Sequence, residues 1–185
     1  TYMTHKWSKA TLGRIFGQFI ESLYKDRDPN ATHFVEDTPE NIAHFRELSM
    51  MFEDMKFIHI VRHPMDVMHS LWNTGNTYGE NDPVALARRN RNRMMRWWTQ
   101  RDAIHPKARD NVVREIRFED FIQDHEQTLR MLCDFIDVDW TDEMLDNRMD
   151  PERAHIGRYD DAEFQDEAII EEILEPIKWE YDYEW

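Results

Sequence analysis

The stretch Lys56–Trp72, KFIHIVRHPMDVMHSLW, decides the fold of this chain. Phe57–Val61 is a short apolar run rich in β-branched residues, which is typical of a buried strand in a parallel sheet covered on both faces. Pro64 suits the first position of a helix, and Asp66 in the first turn complements the positive end of the helix dipole. The stretch therefore predicts a strand that runs directly into a helix.

Two polar side chains mark the junction between this strand and this helix. Arg62 follows the strand, and Ser70 lies further along the helix. Ligands of open α/β sheets bind beyond the carboxyl ends of the strands, and helix N-termini attract anions. A guanidinium group beside a hydroxyl could bind a phosphate. The structural alternative is that Arg62 pairs with Asp66 or Glu119.

The pattern Arg62-x-Pro64-x-Asp66-x-x-x-Ser70 resembles the 3′-phosphate-binding segment of sulfotransferases that use 3′-phosphoadenosine 5′-phosphosulfate (PAPS). The resemblance is to the carbohydrate-type branch of that family. It implies that Arg62 and Ser70 hold the 3′-phosphate of PAPS and of its product, PAP.

Three further segments occur in the order that the family shows, so the resemblance covers most of the chain. Thr32–Asn41, THFVEDTPEN, resembles the strand end "EKTPEN", and Val113–Phe121, VREIRFEDF, is similar to the "RYEDL" strand and helix. Ile156–Tyr159 resembles a late Gly-Arg-aromatic loop that returns to the 3′-phosphate. The resemblance thus adds Gly157 and Arg158 to the candidate cofactor-binding residues.

The acceptor hydroxyl must lose a proton during transfer, and a carboxylate or histidine within reach would accept it. Glu36 and Asp37 end the first predicted strand, on the side where ligands gather, and Glu36 is the first candidate for the catalytic base. His5 and Lys6 are further candidates. The family pattern usually has Glu-Lys where this chain has Glu36-Asp37. Both acids could instead complement the dipole of the following helix.

One family element has no counterpart in the sequence. The family begins with a strand and a loop of the type P-[RK]-[ST]-G-T-[TS], whose backbone amides and basic side chain hold the 5′-phosphosulfate. None of the five glycines lies in such a loop, and the chain starts at Thr1. We expect residues 1–185 to form a single sulfotransferase-like domain without that strand and loop. The alternative is a family member that binds nucleotide without transferring sulfate.

The whole chain shows a strand and helix rhythm that predicts an α/β fold. Apolar residues at helical spacing predict a helix from Ser8 to about residue 25. His33–Glu36 is predicted as a strand that feeds a helix capped by Thr38, with Pro39 at its first position. Val112–Phe118 is predicted as a strand followed by another helix. We therefore expect a P-loop-like, three-layer α/β fold with a mainly parallel sheet flanked by helices.

Composition and charge limit the classes of partner that this chain could bind. The chain has 185 residues, 41% of them hydrophobic, which suffices for one core, and its net charge of −15 argues against nucleic-acid binding. An anionic cofactor would need a local basic site, which Arg62, Arg158, Arg114 and Arg117 could supply. No apolar run is long enough to span a membrane and no signal peptide is visible, so we expect a cytoplasmic protein unless an N-terminal anchor has been removed. Cys133, the single cysteine, is expected to be a small buried residue.

Two further clusters have alternative interpretations. Arg88–Arg93 precedes Trp97 and Trp98, a composition that could bind RNA or a sulfated sugar. The other interpretation is a helix with inward tryptophans and arginines paired with acids. Three histidines lie close in sequence, at positions 59, 63 and 69, but their spacing matches no zinc motif, so no metal is expected.

The resemblance thus implies an enzyme that transfers a sulfuryl group from PAPS to an acceptor hydroxyl, with a carbohydrate as the expected acceptor. Protein tyrosine is another acceptor to consider. The alternatives are a nucleotide kinase-like phosphotransferase and a nucleotide-binding or interaction module without turnover. The oligomeric state does not follow from the sequence.

Overall fold

The computed structural model describes residues 8–147, 154, 156–157 and 164–184. The strands are β1 (Phe57–Val61) and β2 (Val113–Arg117). The helices are α1 (Lys9–Arg27), α2 (Phe45–Met51), α3 (Pro64–Asn73), α4 (Pro83–Asp102), α5 (Pro106–Val112), α6 (Phe118–Gln123), α7 (His125–Ile136) and α8 (Glu167–Glu180). Two 3₁₀ helices span Pro39–His44 and Asp142–Asn147.

The two strands pair in parallel and end at the same edge of the sheet. Val61 is opposite Arg117, and α3 and α6 begin within a few residues of the two strand ends. The strand and helix predicted for the opening stretch are therefore confirmed. This arrangement places the residues after both strands side by side, which is where parallel sheets bind ligands.

One face of β1 is more exposed than its apolar sequence predicts. His59 and Val61 are buried, whereas Ile58 and Ile60 on the opposite face are 37% and 53% exposed. Successive side chains of a strand point to opposite faces, so helices cover one face of this sheet in the part of the chain that the structure describes. The prediction of a strand covered on both faces is wrong for these residues.

The strand predicted at His33–Glu36 is also absent. Within the described residues, the sheet consists of β1 and β2 alone, and residues 33–38 form no strand. The reason is that a strand exists only where it has a pairing partner. The side chains of this segment are engaged elsewhere, because His33 Nε2 bonds the Ile136 carbonyl at 3.0 Å and Phe34 stacks on Tyr24.

The main core lies between α3, α4 and α8. Its largest fully buried members come from all three helices: Met65, Met68, Leu86, Ile170 and Leu174. On α1, Ser8 caps the helix by accepting a hydrogen bond from Thr11 N at 3.0 Å, as its predicted start requires. Gly17 lets α1 approach α2, since a Cβ at this position would lie 1.9 Å from the Met51 carbonyl oxygen.

A buried polar cluster joins the sheet to α4 and α8. The Glu115 carboxylate accepts hydrogen bonds from His59 Nδ1 (3.0 Å), Trp97 Nε1 (2.8 Å), the Tyr181 hydroxyl (2.6 Å) and Arg101 Nη1 (2.8 Å). Burial raises the pKa of Glu115, but the bonds from His59, Tyr181, Trp97 and Arg101 outweigh burial and hold this pKa at about 2. Glu115, whose side chain is 22% exposed, is therefore a largely buried anion on β2 that connects β1, α4 and the end of α8.

Two smaller predictions can be compared with the structure. Cys133 is buried and contacts Met144 Sδ at 3.5 Å, as expected for a small core residue. Among the described residues, no helix is both long and apolar enough to cross a membrane.

Candidate functional site

Arg62 lies where β1 meets α3, at the carboxyl edge of the sheet. Its side chain is 21% exposed and lies 3.6 Å from Asp66 Oδ2. Its guanidinium also packs over the Phe118 ring, 5.1 Å from the centroid, at the start of α6. Both strand ends thus contribute to holding this cation. Arg62 does pair with Asp66, as the structural alternative required, and its remaining exposure leaves it accessible to an anion.

Asp66 joins a distant loop to this junction. Its side chain is fully buried, and Oδ2 accepts a hydrogen bond from Gly157 N at 2.9 Å. Arg62 Nη2 donates to the Ala154 carbonyl at 3.1 Å. Among the described residues, Gly157 of the predicted late loop and Ala154, two residues before that loop, therefore each form a hydrogen bond with the β1–α3 junction. Gly157 has φ +71°, a left-handed conformation that favours glycine over residues with a side chain.

Ser70 lies one helical turn beyond Asp66 on α3 and is exposed. Residues four apart on a helix share a face, so Asp66 and Ser70 lie on one face of α3. The structure therefore brings Arg62 and Gly157 together through Asp66, and it places Ser70 on the exposed surface of α3. Arg158 lies outside the described residues.

A second layer of contacts supports the junction from β2 and the end of the chain. Glu119 Oε1 accepts from His63 N at 2.8 Å, and Oε2 accepts from the Tyr183 hydroxyl at 3.0 Å. Burial, followed by the nearby Glu119 carboxylate, raises the pKa of Tyr183. Arg117 packs over the Tyr183 ring, 4.4 Å from its centroid. These contacts hold His63, the N-cap of α3, and so fix the helix that carries Asp66 and Ser70.

Glu36 and Asp37 are exposed and lie in a separate turn. Glu36 Oε1 accepts hydrogen bonds from the hydroxyl and from the backbone N–H of Thr38. The hydroxyl bond, followed by the backbone bond, lowers the pKa of Glu36. The Thr38 hydroxyl thus serves Glu36 rather than capping the following helix as predicted, because that helix lacks a side-chain cap bond. Among the described residues, Glu36 makes no hydrogen bond to the Arg62 junction.

The histidines that are close in sequence are separated in the structure. His59 bonds Glu115, His63 Nε2 bonds the Glu184 carbonyl at 2.9 Å, and His69 bonds Asn73 at 2.7 Å. Within the ranges that the structure describes, no group of three or more His, Cys, Asp or Glu side chains could hold a metal ion.

The arginine-rich segment forms α4, and its tryptophans differ in burial. Trp97 is fully buried against β1, whereas Trp98 is partly buried and donates to the Tyr181 hydroxyl at 3.1 Å. The helical interpretation of this segment is therefore correct. Its arginines bind acids in part, since Arg89 lies 3.8 Å from Glu80, while Arg93 donates to the Pro39 carbonyl at 2.7 Å.

The parallel strand pair and the helices packed against it form an α/β fold, as predicted, with an arginine and a helix N-terminus at the carboxyl edge of the sheet. The sulfotransferase family matches residues 5–142, and the chain belongs to this family. No curated protein matches it.

The fold is similar to that of solved sulfotransferase domains, among them two domains of similar TM-score. One is the sulfotransferase domain from the curacin biosynthetic pathway, with a TM-score of 0.61 and 20% identity over 91% of this chain and 68% of that one. The other is the sulfotransferase domain from the Synechococcus PCC 7002 olefin synthase, with a TM-score of 0.60 and 17% identity over 91% of this chain and 64% of that one. The chain thus spans about two thirds of the length of either domain.

Sequence reasoning missed the contact between Asp66 and Gly157. It assigned Asp66 to the helix dipole and, as an alternative, to a pair with Arg62, but it gave Asp66 no contact with the late loop. No local signal points to this contact, because Gly157 is separated from Asp66 by 91 positions.

Replacing Asp66 with alanine should lower the free energy of unfolding by about 1.5 to 3 kcal/mol, because Gly157 N–H and Arg62 both lose a charged partner. Asp66→Asn should lose less, since its side-chain oxygen can still accept from Gly157. Urea unfolding measures both changes. Asp134→Ala, an exposed position on α7, is the control and should change little. A loss no greater than that of Asp134→Ala would show that Asp66 does not anchor the loop.

Proposed function

We propose that this chain is the nucleotide-binding core of a PAPS-dependent sulfotransferase that transfers the sulfuryl group of PAPS to a hydroxyl of a carbohydrate. Family membership supports sulfuryl rather than phosphoryl transfer. The observation that carries the use of PAPS is the partly exposed guanidinium of Arg62 at the carboxyl edge of the sheet, beside the N-terminus of α3. The carbohydrate acceptor rests on the motif resemblance.

The residues of the junction fit a 3′-phosphate. Arg62 supplies charge and directed N–H donors, and Ser70 supplies an exposed hydroxyl on α3, one helical turn beyond Asp66. The anchored loop brings Gly157 to this junction, and Arg158 is the next residue along the chain. Asp66 orients Arg62 and cancels part of its charge, so the site retains a net attraction for a phosphate only if a second cation assists, which is the role we assign to Arg158.

Sulfuryl transfer requires a group that accepts the proton of the acceptor hydroxyl and a PAPS molecule that is held in a fixed position. The acceptor oxygen attacks sulfur, an O–S bond forms, the S–O bond to the 5′-phosphate of PAP breaks, and the acceptor proton passes to a base. We assign the base to Glu36. A glutamate is ionised at neutral pH and can accept a proton, and the hydrogen bonds from Thr38, which lower the pKa of Glu36, hold its carboxylate in one orientation. Asp37 is the adjacent alternative.

The Arg62→Ala variant should bind PAP more than about tenfold more weakly, because a hydrogen bond to a charged group contributes about 1.5 to 3 kcal/mol. Ser70→Ala should cost less, and Arg62→Lys should restore only part of the affinity because lysine lacks the bidentate fork. Titration calorimetry with PAP measures these affinities.

Adenosine 5′-phosphate is the control ligand for that titration, because it lacks the 3′-phosphate. Its affinity should barely respond to Arg62→Ala. Equal losses for the two nucleotides would mean that Arg62 supports the fold rather than reading the 3′-phosphate.

One observation favours a second function, a nucleotide-binding module without turnover. Asp37 occupies the position at which the resembled pattern has lysine, so an acid stands where a cation is expected near the transferred group. Binding of PAP without any transfer of labelled sulfate to glycans, in a form that carries a Gly-rich loop upstream of Thr1, would support this second function.

A further inference from the structure

We propose that Arg89 and Arg93 form an acceptor subsite that recognises a carboxylate or sulfate group on the sugar next to the reacting hydroxyl. This inference rests on the proposed function and adds to it the chemical class of the acceptor. It starts from two guanidinium groups on α4 that share one aromatic ring. The Arg89 and Arg93 guanidinium carbons lie 4.7 Å and 5.6 Å from the centroid of Tyr78.

The positive charges of Arg89 and Arg93 repel each other unless an anion binds between them. Like charges four residues apart on a helix repel each other. Among the described residues, their one acidic partner is Glu80, which lies 3.8 Å from Arg89 in an exposed pair of the kind that contributes little. Arg93 bonds a carbonyl and the Tyr78 hydroxyl, at 2.7 Å and 3.4 Å, so its charge has no acidic partner within the described ranges. An anionic group bound between them would relieve the repulsion.

The ring that both arginines contact belongs to a strained loop. Tyr78 has φ +55°, a left-handed conformation that is unfavourable for an aromatic residue and costs on the order of 1 kcal/mol or more. Gly75 and Gly79 on either side also have positive φ, at +70° and +83°. Such strain persists where surrounding contacts enforce it, and here the contacts are those with α4 and the main core. The loop therefore holds the Tyr78 ring beside the two cations.

The position of this pair relative to the proposed reaction supports an acceptor role. Arg93 Nη2 donates to the Pro39 carbonyl, which lies three residues after Glu36. On the other side, α4 packs against α3, the helix that carries Ser70, through a contact of 3.4 Å between Asn90 Nδ2 and Met68 Sδ. Arg93 is thus bonded to the segment that follows the proposed base, and the helix that carries both arginines packs against the helix of the proposed nucleotide site.

Charge also sets the orientation of the acceptor. Glu36 and Asp37 would repel an anionic group, whereas Arg89 and Arg93 attract it, so the hydroxyl should face the acids and the anionic group should face the arginines. A chain with a net charge of −15 needs such a local cationic site to bind an anionic sugar at all.

The experiment compares two oligosaccharides that differ in one group. A glucuronate-containing tetrasaccharide and its carboxyl-reduced counterpart are titrated into the chain saturated with PAP. We expect the uronate form to bind at least about tenfold more tightly. Its advantage should shrink as salt is raised from 50 to 500 mM, because the screening length of exposed charges then falls from about 14 Å to about 4 Å. Arg89→Ala and Arg93→Gln should each remove most of that advantage.

Arg88→Ala is the matched control, because it removes the same charge from an exposed neighbouring position on α4. It should leave the preference for the uronate form unchanged. Equal affinity for both sugars, or an equal loss in Arg88→Ala and Arg89→Ala, would overturn the subsite while leaving the proposed function intact. Failure of the chain to bind PAP would instead overturn the proposed function and this inference with it.

Discussion

Replacing Glu115 with alanine is expected to lower the free energy of unfolding by about 3 to 5 kcal/mol, because the change leaves buried polar groups without the anion that they surround. Arg101, whose side chain is 10% exposed, loses one of its acidic partners. Three further donors, from His59, Trp97 and Tyr181, lose their acceptor. Chemical denaturation of the two proteins at pH 7 measures the difference.

The same carboxylate should make stability depend on pH in the acid range. The pKa of Glu115 is about 2 in the folded state and 4.5 without the fold, so the folded state favours the ionised form. The stabilisation, about 3 kcal/mol from a shift of this size, is fully present above about pH 4.5 and is lost as the pH falls toward 2. Glu115→Gln should remove this part of the acid dependence, because glutamine does not titrate.

An exposed acid provides the comparison. Glu175→Ala, at an exposed position of α8, removes the same charge without a buried network and should change stability by less than about 0.5 kcal/mol. The cluster would not stabilise the fold if Glu115→Ala and Glu175→Ala lowered the free energy of unfolding by similar amounts. The same conclusion would follow if Glu115→Gln lost stability in acid as the unchanged protein does.

Replacing Glu36 with glutamine is expected to lower kcat for sulfate transfer by about 10²- to 10⁴-fold, the usual loss when a general base is removed. Glutamine keeps the size of the side chain and an oxygen that can accept from Thr38, but it cannot take the acceptor proton. PAP affinity should remain unchanged, because Glu36 makes no bond to the Arg62 junction among the described residues. Single-turnover kinetics with labelled PAPS, in a form that carries a Gly-rich loop upstream of Thr1, measure the chemical step.

Asp37→Asn is the matched control for this prediction. It removes the neighbouring charge from the same exposed turn and should change kcat by no more than a few-fold. If kcat is unchanged in Glu36→Gln and falls in Asp37→Asn, the base is Asp37. A fall in both PAP affinity and kcat would point to a structural role for the turn.

Much of the local structure followed from the sequence because it depends on neighbouring residues. The apolar run before Arg62, Pro64 at the first helical position and the spacing of four residues to Asp66 are all local features, and the structure shows β1, α3 and the ion pair that they indicate. The start of α1 at Ser8 was predictable for the same reason, since the capping serine bonds an amide three residues away.

Contacts between distant parts of the chain were decided by the tertiary structure alone. Gly157 meets Asp66 across 91 positions and Tyr181 meets Glu115 across 66, and no local pattern encodes either pair. For Arg93, the sequence predicts a cation on a helix. It does not predict the hydrogen bond from this side chain to the Pro39 carbonyl, 54 positions away. The strand expected at His33–Glu36 did not form among the described residues because a strand depends on its neighbour in the sheet, whereas a helix satisfies its backbone hydrogen bonds within itself. The sequence by itself therefore determined the β1–α3 unit and the residue types at its junction, and the tertiary structure decided which loops, acids and rings meet there.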